Sequence, residues 1–266
     1  MTLTHPAYAQ LRTVTPSAAV LLANNPGPMT LDGTNTWILR SPGRTDCVVI
    51  DPGPDDPAHI AAIAEATGGA VALTLITHRH PDHTGGIDEL VRLTGTPVRA
   101  MDPEFLRGDV SPLTDGEIVE AAGLRITVVH TPGHTADSVS FLLADAVLSG
   151  DTILGRGTTV LDRDGTLRDY LRSLDRLLEV GAGRALLPAH GPDHPDLEPV
   201  ARYYIAHRNE RLAQVRAALD ELGADAKAMD VVRKVYADVD ESLWPAACNS
   251  VESQLTYLRS EPDPQN

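Results

Sequence analysis

The feature that most constrains this chain is the run Thr77-His78-Arg79-His80-Pro81-Asp82-His83, which follows the apolar stretch Val71–Ile76 without a break. An apolar run of that length, preceded by Gly68-Gly69, is expected to be a buried strand. A turn directly after a strand aims neighbouring side chains into one pocket. Histidine and carboxylate are the residue types that hold divalent ions there. Three single residues stand in the same position after other apolar runs: His134 after Thr131-Pro132-Gly133, Asp151 after Ser149-Gly150, and His190 after Pro188-Ala189. Taken singly, each is a turn or capping residue. Together they predict strands whose ends converge on one site, as catalytic groups on a rigid scaffold do.

The other elements follow from period and punctuation. Val20–Ala23, Thr36–Leu39, Cys47–Ile50, Pro97–Ala100, Leu124–Val129, Val139–Leu143, Ala146–Leu148 and Ala185–Leu187 are expected strands. Pro57–Thr67 is an expected helix, with Pro at its first position and Gly68 just past its end. Further helices are expected over Gly85–Thr94 and Asp169–Val180. From about Glu198 strands give way to helical patterns: Val200–Leu222, Ala226–Ala237 and Asn249–Arg259. The tail Glu261–Asn266 is expected to fray. This divides the chain into residues 1–207, which carry the site, and a C-terminal helical appendage over 208–266.

Composition narrows the class. Hydrophobic residues are 42% and aromatics only 4%, so the core must be mainly aliphatic. No stretch is long and apolar enough to span a bilayer. Met1–Gln10 lacks the basic start and apolar run of a signal peptide, which predicts a cytoplasmic protein with no membrane partner. The formal charge of −15, with an acidic C-terminal part, gives no basic surface of the kind that grips nucleic acid. Twenty arginines against two lysines suggest a GC-rich bacterial genome. Cys47 and Cys248 have no paired spacing; Cys47 is expected to be a small core residue.

In order and spacing, the four motifs resemble the metallo-β-lactamase superfamily. The resemblance covers about residues 15–208. It implies an α+β fold, the αβ/βα sandwich of two mixed sheets with outer helices and the site along one edge. It assigns one metal to His78, His80 and His134, a second to Asp82, His83 and His190, and makes Asp151 the bridge. The implied cofactor is a pair of zinc ions, with manganese or iron as the alternatives. Two such ions share a water, lower its pKa and polarise the substrate oxygen. Asp82 is the expected catalytic residue, as ligand and proton acceptor. Asp51 and Thr77 either hold ligands in place or are a strand-end cap and a turn residue.

Within the superfamily, Asn25-Pro26-Gly27-Pro28, Gly33-Thr34-Asn35-Thr36, Ser149–Gly155, Gly157-Thr158-Thr159-Val160 and Tyr204–Asn209 resemble the β-lactamase-like protein 2 family. That family includes a mitochondrial endoribonuclease on single-stranded RNA with a small winged-helix-like C-terminal domain, and related fungal thioesterases. The resemblance implies first a hydrolase of single-stranded RNA; the alternative is a small-molecule thioesterase, lactonase or other carboxylic-ester hydrolase of the glyoxalase II kind. An iron-dependent oxidoreductase on the same cage is the reading from another class. Thr158 and Thr159 either line the site or belong to a polar loop. His207 and Arg208 are either a helix-surface pair or contacts to the site or a substrate phosphate. His5, His59, His130 and His194 are expected to be structural or surface residues.

Overall fold

The computed structural model describes residues 8–237, 240–241 and 244–260, so His5 and the tail Glu261–Asn266 lie outside the described residues. The chain runs β1 (Arg12–Thr13), β2 (Ala18–Leu22), β3 (Asn35–Leu39), β4 (Cys47–Ile50), α1 (Pro57–Thr67), β5 (Val71–Leu75), α2 (Pro81–Thr84), α3 (Ile87–Thr94) and β6 (Val98–Arg99). It continues through β7 (Ile118–Ala121), β8 (Leu124–His130), β9 (Val139–Leu142), β10 (Ala146–Gly150), α4 (Leu167–Val180), β11 (Ala185–Pro188), α5 (Leu197–Leu222), α6 (Ala228–Val235) and α7 (Trp244–Ser260).

The strands form two mixed sheets, ordered β1-β2-β3-β4-β5-β6 and β11-β10-β9-β8-β7. Side chains alternate across each strand. In β4, Val48 and Ile50 therefore join Val20, Trp37 and Leu75 in a core shared with Ile126, Val128, Phe141, Leu148 and Leu187 of the second sheet. Cys47 and Val49 face the other way, onto Ile60 and Ile63 of α1 and Leu90 of α3. Val147 and Leu186 of the second sheet are covered by Tyr170, Leu174 and Leu177 of α4 and by Leu197, Ala201 and Tyr204 of α5. This is the αβ/βα sandwich, with helices outside two sheets packed face to face. Among the described residues, no helix is long and apolar enough to cross a membrane.

Local chemistry sets several element ends. Asp56 caps α1 by accepting from the Ala58 N–H, Pro57 occupies its first turn, and Gly68 closes it in the left-handed conformation. The metal-motif loop is more structured than its sequence suggests. Asp82 and His83 ride a one-turn helix opened by Pro81, and α3 starts two residues later than expected, at Ile87. The short strands β1 and β7 were not expected; each is stabilised by antiparallel pairing to a longer neighbour, which leaves little local signal.

At the C-terminus, Val215 and Ala218 of α5 pack with Val231 and Val232 of α6 and Val251 and Leu255 of α7. Helix α5 runs unbroken through residues 207 and 208, so the boundary expected there falls inside a helix. Its first half belongs to the sandwich core and its second half to the C-terminal cluster.

Candidate metal centre

Five segments deliver the site, each just beyond a strand. Asp51 follows β4, the His78–His83 loop follows β5, His134 lies four residues past β8, Asp151 follows β10 and His190 follows β11. The strand ends are tied together across the sandwich. The Asn35 N–H donates to the Ala189 carbonyl (2.7 Å), and the Val139 N–H donates to the Thr77 carbonyl (2.8 Å). Two glycines make the approach possible. Gly133 (φ 138°) lies where a Cβ would strike the Tyr170 backbone, and Gly150 (φ 52°) is packed against the Thr77 side chain.

His78, His80, Asp82, His83, His134, Asp151 and His190 come together as two donor sets, His78-His80-His134 and Asp82-His83-His190, joined by an overlapping group of His78, His83 and Asp151. In the first, His80 Nδ1 lies 3.0 Å from both His78 Nε2 and His134 Nε2. Asp151 Oδ2 stands 3.6 Å from His134 Nε2 and 4.0 Å from His78 Nε2. In the second, Asp82 Oδ2 lies 3.3 Å from His83 Nε2 and 3.2 Å from His190 Nε2, and Asp151 Oδ1 lies 3.3 Å from His190 Nε2. Asp151 thus faces both sets. A tetrahedral zinc with bonds of about 2.0–2.1 Å needs donor spacings of about 3.3–3.4 Å, and the observed values bracket that range.

The outer partners decide which nitrogen of each ring carries the proton. Thr77 Oγ donates to Asp51 Oδ2 (2.7 Å) and so accepts from His78 Nδ1 (3.1 Å). His134 Nδ1 donates to the Val160 carbonyl (2.6 Å), and His80 Nε2 donates to Asp162 Oδ2 (3.2 Å). His83 Nδ1 donates to Asp51 Oδ2 (2.8 Å), and His190 Nδ1 donates to the Gly33 carbonyl (3.1 Å). In the first set the outer nitrogens of His78, His80 and His134 carry the proton, which leaves their inward nitrogens as bare lone pairs. Two lone pairs 3.0 Å apart repel unless a cation lies between them. Buried His83 Nε2 and Asp151 Oδ1 have no hydrogen-bond partner, which a bound ion would supply. The residues present fit two divalent metals.

Electrostatics separates the sets. Burial, reinforced by the neighbouring His83, pushes His78 well below its usual pKa, and burial lowers His134. In the second set burial acts the same way on the histidines, but the carboxylates prevail. Asp82, Asp51 and Asp151 hold His83 well above its usual range, and Asp151 with Asp82 raises His190 to about 9. Burial alone would raise Asp82 and Asp151, yet the facing histidines hold both far below the normal carboxylate range. That negative field attracts a cation as readily as it attracts protons.

Asp51 and Thr77 are both buried and hold ligands. Asp51 sits at φ 53°, strained for a residue with a side chain, and its carboxylate accepts from the Thr77 N–H (2.8 Å) as well as from His83. Thr159 is buried and donates from Oγ to the Asp151 carbonyl (2.8 Å). Thr158 is half-buried and makes no side-chain hydrogen bond among the described residues. Arg208 is not a surface residue. Its guanidinium is buried over the Tyr170 ring, 4.9 Å from the centroid, and donates to the Thr159 carbonyl. His207 is half-buried and stacks on Tyr203. His59 is buried and donates from Nε2 to Thr36 Oγ (2.9 Å), which donates to the Asp51 carbonyl. Arg79 and Asp162 were missed by sequence reasoning. The Arg79 position inside the motif was the one visible signal.

A cavity of about 1000 Å³ opens beside the site. His80 and His134 border it, the segment Val160–Asp169 forms one wall, and Asn249–Ser260 of α7 forms the other.

Fold and donor sets together define a hydrolase that works through bound metal. The family model described as metallo-beta-lactamase superfamily matches residues 29–190, and this chain belongs to that superfamily. A second model, the beta-lactamase associated winged helix domain, matches residues 228–261. The chain is 35% identical to a beta-lactamase-like protein 2 homolog of Drosophila melanogaster, over 96% of this chain and 91% of the relative. It is 32% identical to the atrochrysone carboxyl ACP thioesterase of Aspergillus chevalieri, over 90% and 79%. A beta-lactamase domain protein from Burkholderia ambifaria has the same fold, with a TM-score of 0.80 at 21% identity, over 98% of this chain and 92% of that one.

Proposed function

We propose that this protein is a cytoplasmic two-zinc hydrolase of carboxylic thioesters or esters, with His78, His80 and His134 holding one ion, Asp82, His83 and His190 the other, and Asp151 between them. The observation that carries the metal reading is the convergence of bare imidazole lone pairs 3.0 Å apart. Nitrogen and carboxylate donors at these spacings favour zinc. Two such ions, when bound, activate a water and polarise the substrate's electrophilic oxygen.

The chain's own residues do the rest. Asp82 Oδ2 is engaged by Thr34, His83 and His190, which leaves Oδ1 to accept a proton from the attacking water. Asp51 and Thr77 keep His78 and His83 in the correct tautomer. The cleft admits substrate on the side of His80 and His134.

The cleft walls bear on the substrate. Asp162, Asp169 and Glu252 line them against Arg163 and Arg168, so they carry no excess of positive charge for a polyanion. An acyl group fits that lining better, and a relative of this chain is an ACP thioesterase. Single-stranded RNA is the second reading, favoured by the two arginines in the cleft. Steady-state hydrolysis of acyl thioesters, lactones, carboxylic esters and a single-stranded RNA oligonucleotide by the zinc-loaded protein tests this. Thioester or ester turnover is expected to dominate; a higher kcat/KM on RNA would replace this reading with the second.

A further inference from the structure

Ligands of the first donor set differ in exposure. The His78 and His134 side chains are 1% and 6% exposed, whereas His80 is 27% exposed. The His80 ring packs edge-on against His78 and His134 on its Nδ1 side, with centroids 4.7 and 4.8 Å apart, which leaves Nε2 in need of a polar partner. The partner is Asp162, 82 residues away, whose Oδ2 accepts from His80 Nε2 and from Arg79 Nη2 (2.6 Å).

Asp162 belongs to a short segment that touches every other part of this set except His78. Thr159 Oγ donates to the Asp151 carbonyl, the Val160 carbonyl accepts from His134 Nδ1, and the Asp162 N–H donates to the His134 carbonyl (2.8 Å). The segment is anchored from behind by Arg208 on the Thr159 carbonyl. None of these residues reaches His83, Asp82 or His190 by a hydrogen bond among those described.

We propose that Thr159–Asp162 is a clamp on the three-histidine metal site, with Asp162 the positioning residue that holds His80 Nδ1 toward the ion. This rests on the two-metal reading above. Outer carboxylates orient a ligand imidazole and raise its basicity, and their loss costs about 10–100-fold in metal affinity. Replacing Asp162 leaves Arg79 paired with Asp164 (2.5 Å) and Asp137 (3.4 Å), so the charge pairing of the loop survives. The effect is transmitted through His80.

The test is zinc content of the full-length protein, measured after dialysis against increasing chelator. Wild type is expected to keep two ions up to a threshold concentration. Asp162→Ala should release one ion at a chelator concentration about 10–100-fold lower and keep the other. Asp164→Ala, which alters the same loop and the same arginine without touching His80, should match wild type. If Asp162→Ala does not fold by circular dichroism, Asp162→Asn decides. It keeps an uncharged acceptor for His80 and should still release one ion early. Release unchanged in the Asp162 variant, or equally early in Asp164→Ala, would overturn the clamp while leaving the two-metal reading intact. A wild-type chain that binds fewer than two ions would overturn both.

Discussion

The two donor sets rest on different supports. His83 and His190 are held from inside the sandwich, by Asp51 at the end of β4 and by the Gly33 carbonyl just before β3. His134 and His80 are held by Val160 and Asp162, on a segment that also walls the cleft. The deep set is thus built by the core, and anything that disturbs it should cost folding stability. In the cleft-side set that segment holds His80 and His134, and the core holds only His78, through Thr77 and Asp51, so disturbing the segment should cost metal and activity first.

The largest expected effects come from the ligands themselves. Asp82→Ala and His134→Ala should each lower kcat/KM by on the order of 10³-fold or more, because the activated water is lost. Circular dichroism should show the core intact, since the apolar strands before each loop carry the burial. Asp82→Asn, nearly isosteric, should fail as well; a folded, fully metallated Asp82→Asn enzyme with near wild-type turnover would remove Asp82 from the chemistry.

Asp51→Ala sharpens the comparison from the deep side. It strips the acceptor from the Thr77 N–H, Thr77 Oγ and His83 Nδ1, all buried. Unsatisfied buried donors of this kind cost about 1–3 kcal/mol each, so a loss of about 3 kcal/mol or more is expected. Denaturant unfolding of the metal-stripped protein measures it. A change under about 1 kcal/mol would mean that the deep set is not supported by the core.

Acid should expose the same support. Burial pushes His59 down to about 4 from its ordinary 6.5. The unfolded chain therefore binds more protons between those values, and this neutral histidine's contribution is complete above about pH 6.5. It declines as pH falls toward 4 and changes no further below that. The loss is at most about 3 kcal/mol, on the basis of about 1.4 kcal/mol per pKa unit. Unfolding of chelated wild type against His59→Gln across that window isolates it; parallel pH curves for the two would refute the assignment.

The smallest effect lies across the cleft. Ser253 of α7 lines the wall opposite the metal loop. Ser253→Trp should raise KM on the order of 10-fold with kcat little changed, the signature of lost binding common to ground and transition states. A fall in kcat at constant KM would instead place α7 in the chemistry.

Much of this was legible in the sequence. Metal coordination demands particular residue types just after strands, and strands announce themselves locally, so the seven residues that converge here and the two-sheet sandwich could be read from motif, pattern and family resemblance. Helix α1 matched its expected bounds because Pro57 and Gly68 are local signals. The support of the site was not legible. Asp162-Arg163-Asp164-Gly165 has the composition of any polar turn, and Arg208 that of any charged helix position. Their roles depend on partners brought close only by packing: Asp162 against His80, Arg208 against Thr159 and Tyr170. The inward nitrogen of each histidine was also decided by the fold, because an imidazole's tautomer follows its outer partner, and for His190 that partner is a carbonyl 157 residues away. Ligand identity is a property of side-chain chemistry, which a sequence states directly. Ligand orientation is a property of contacts between distant segments, which exist only once the two sheets have closed on each other.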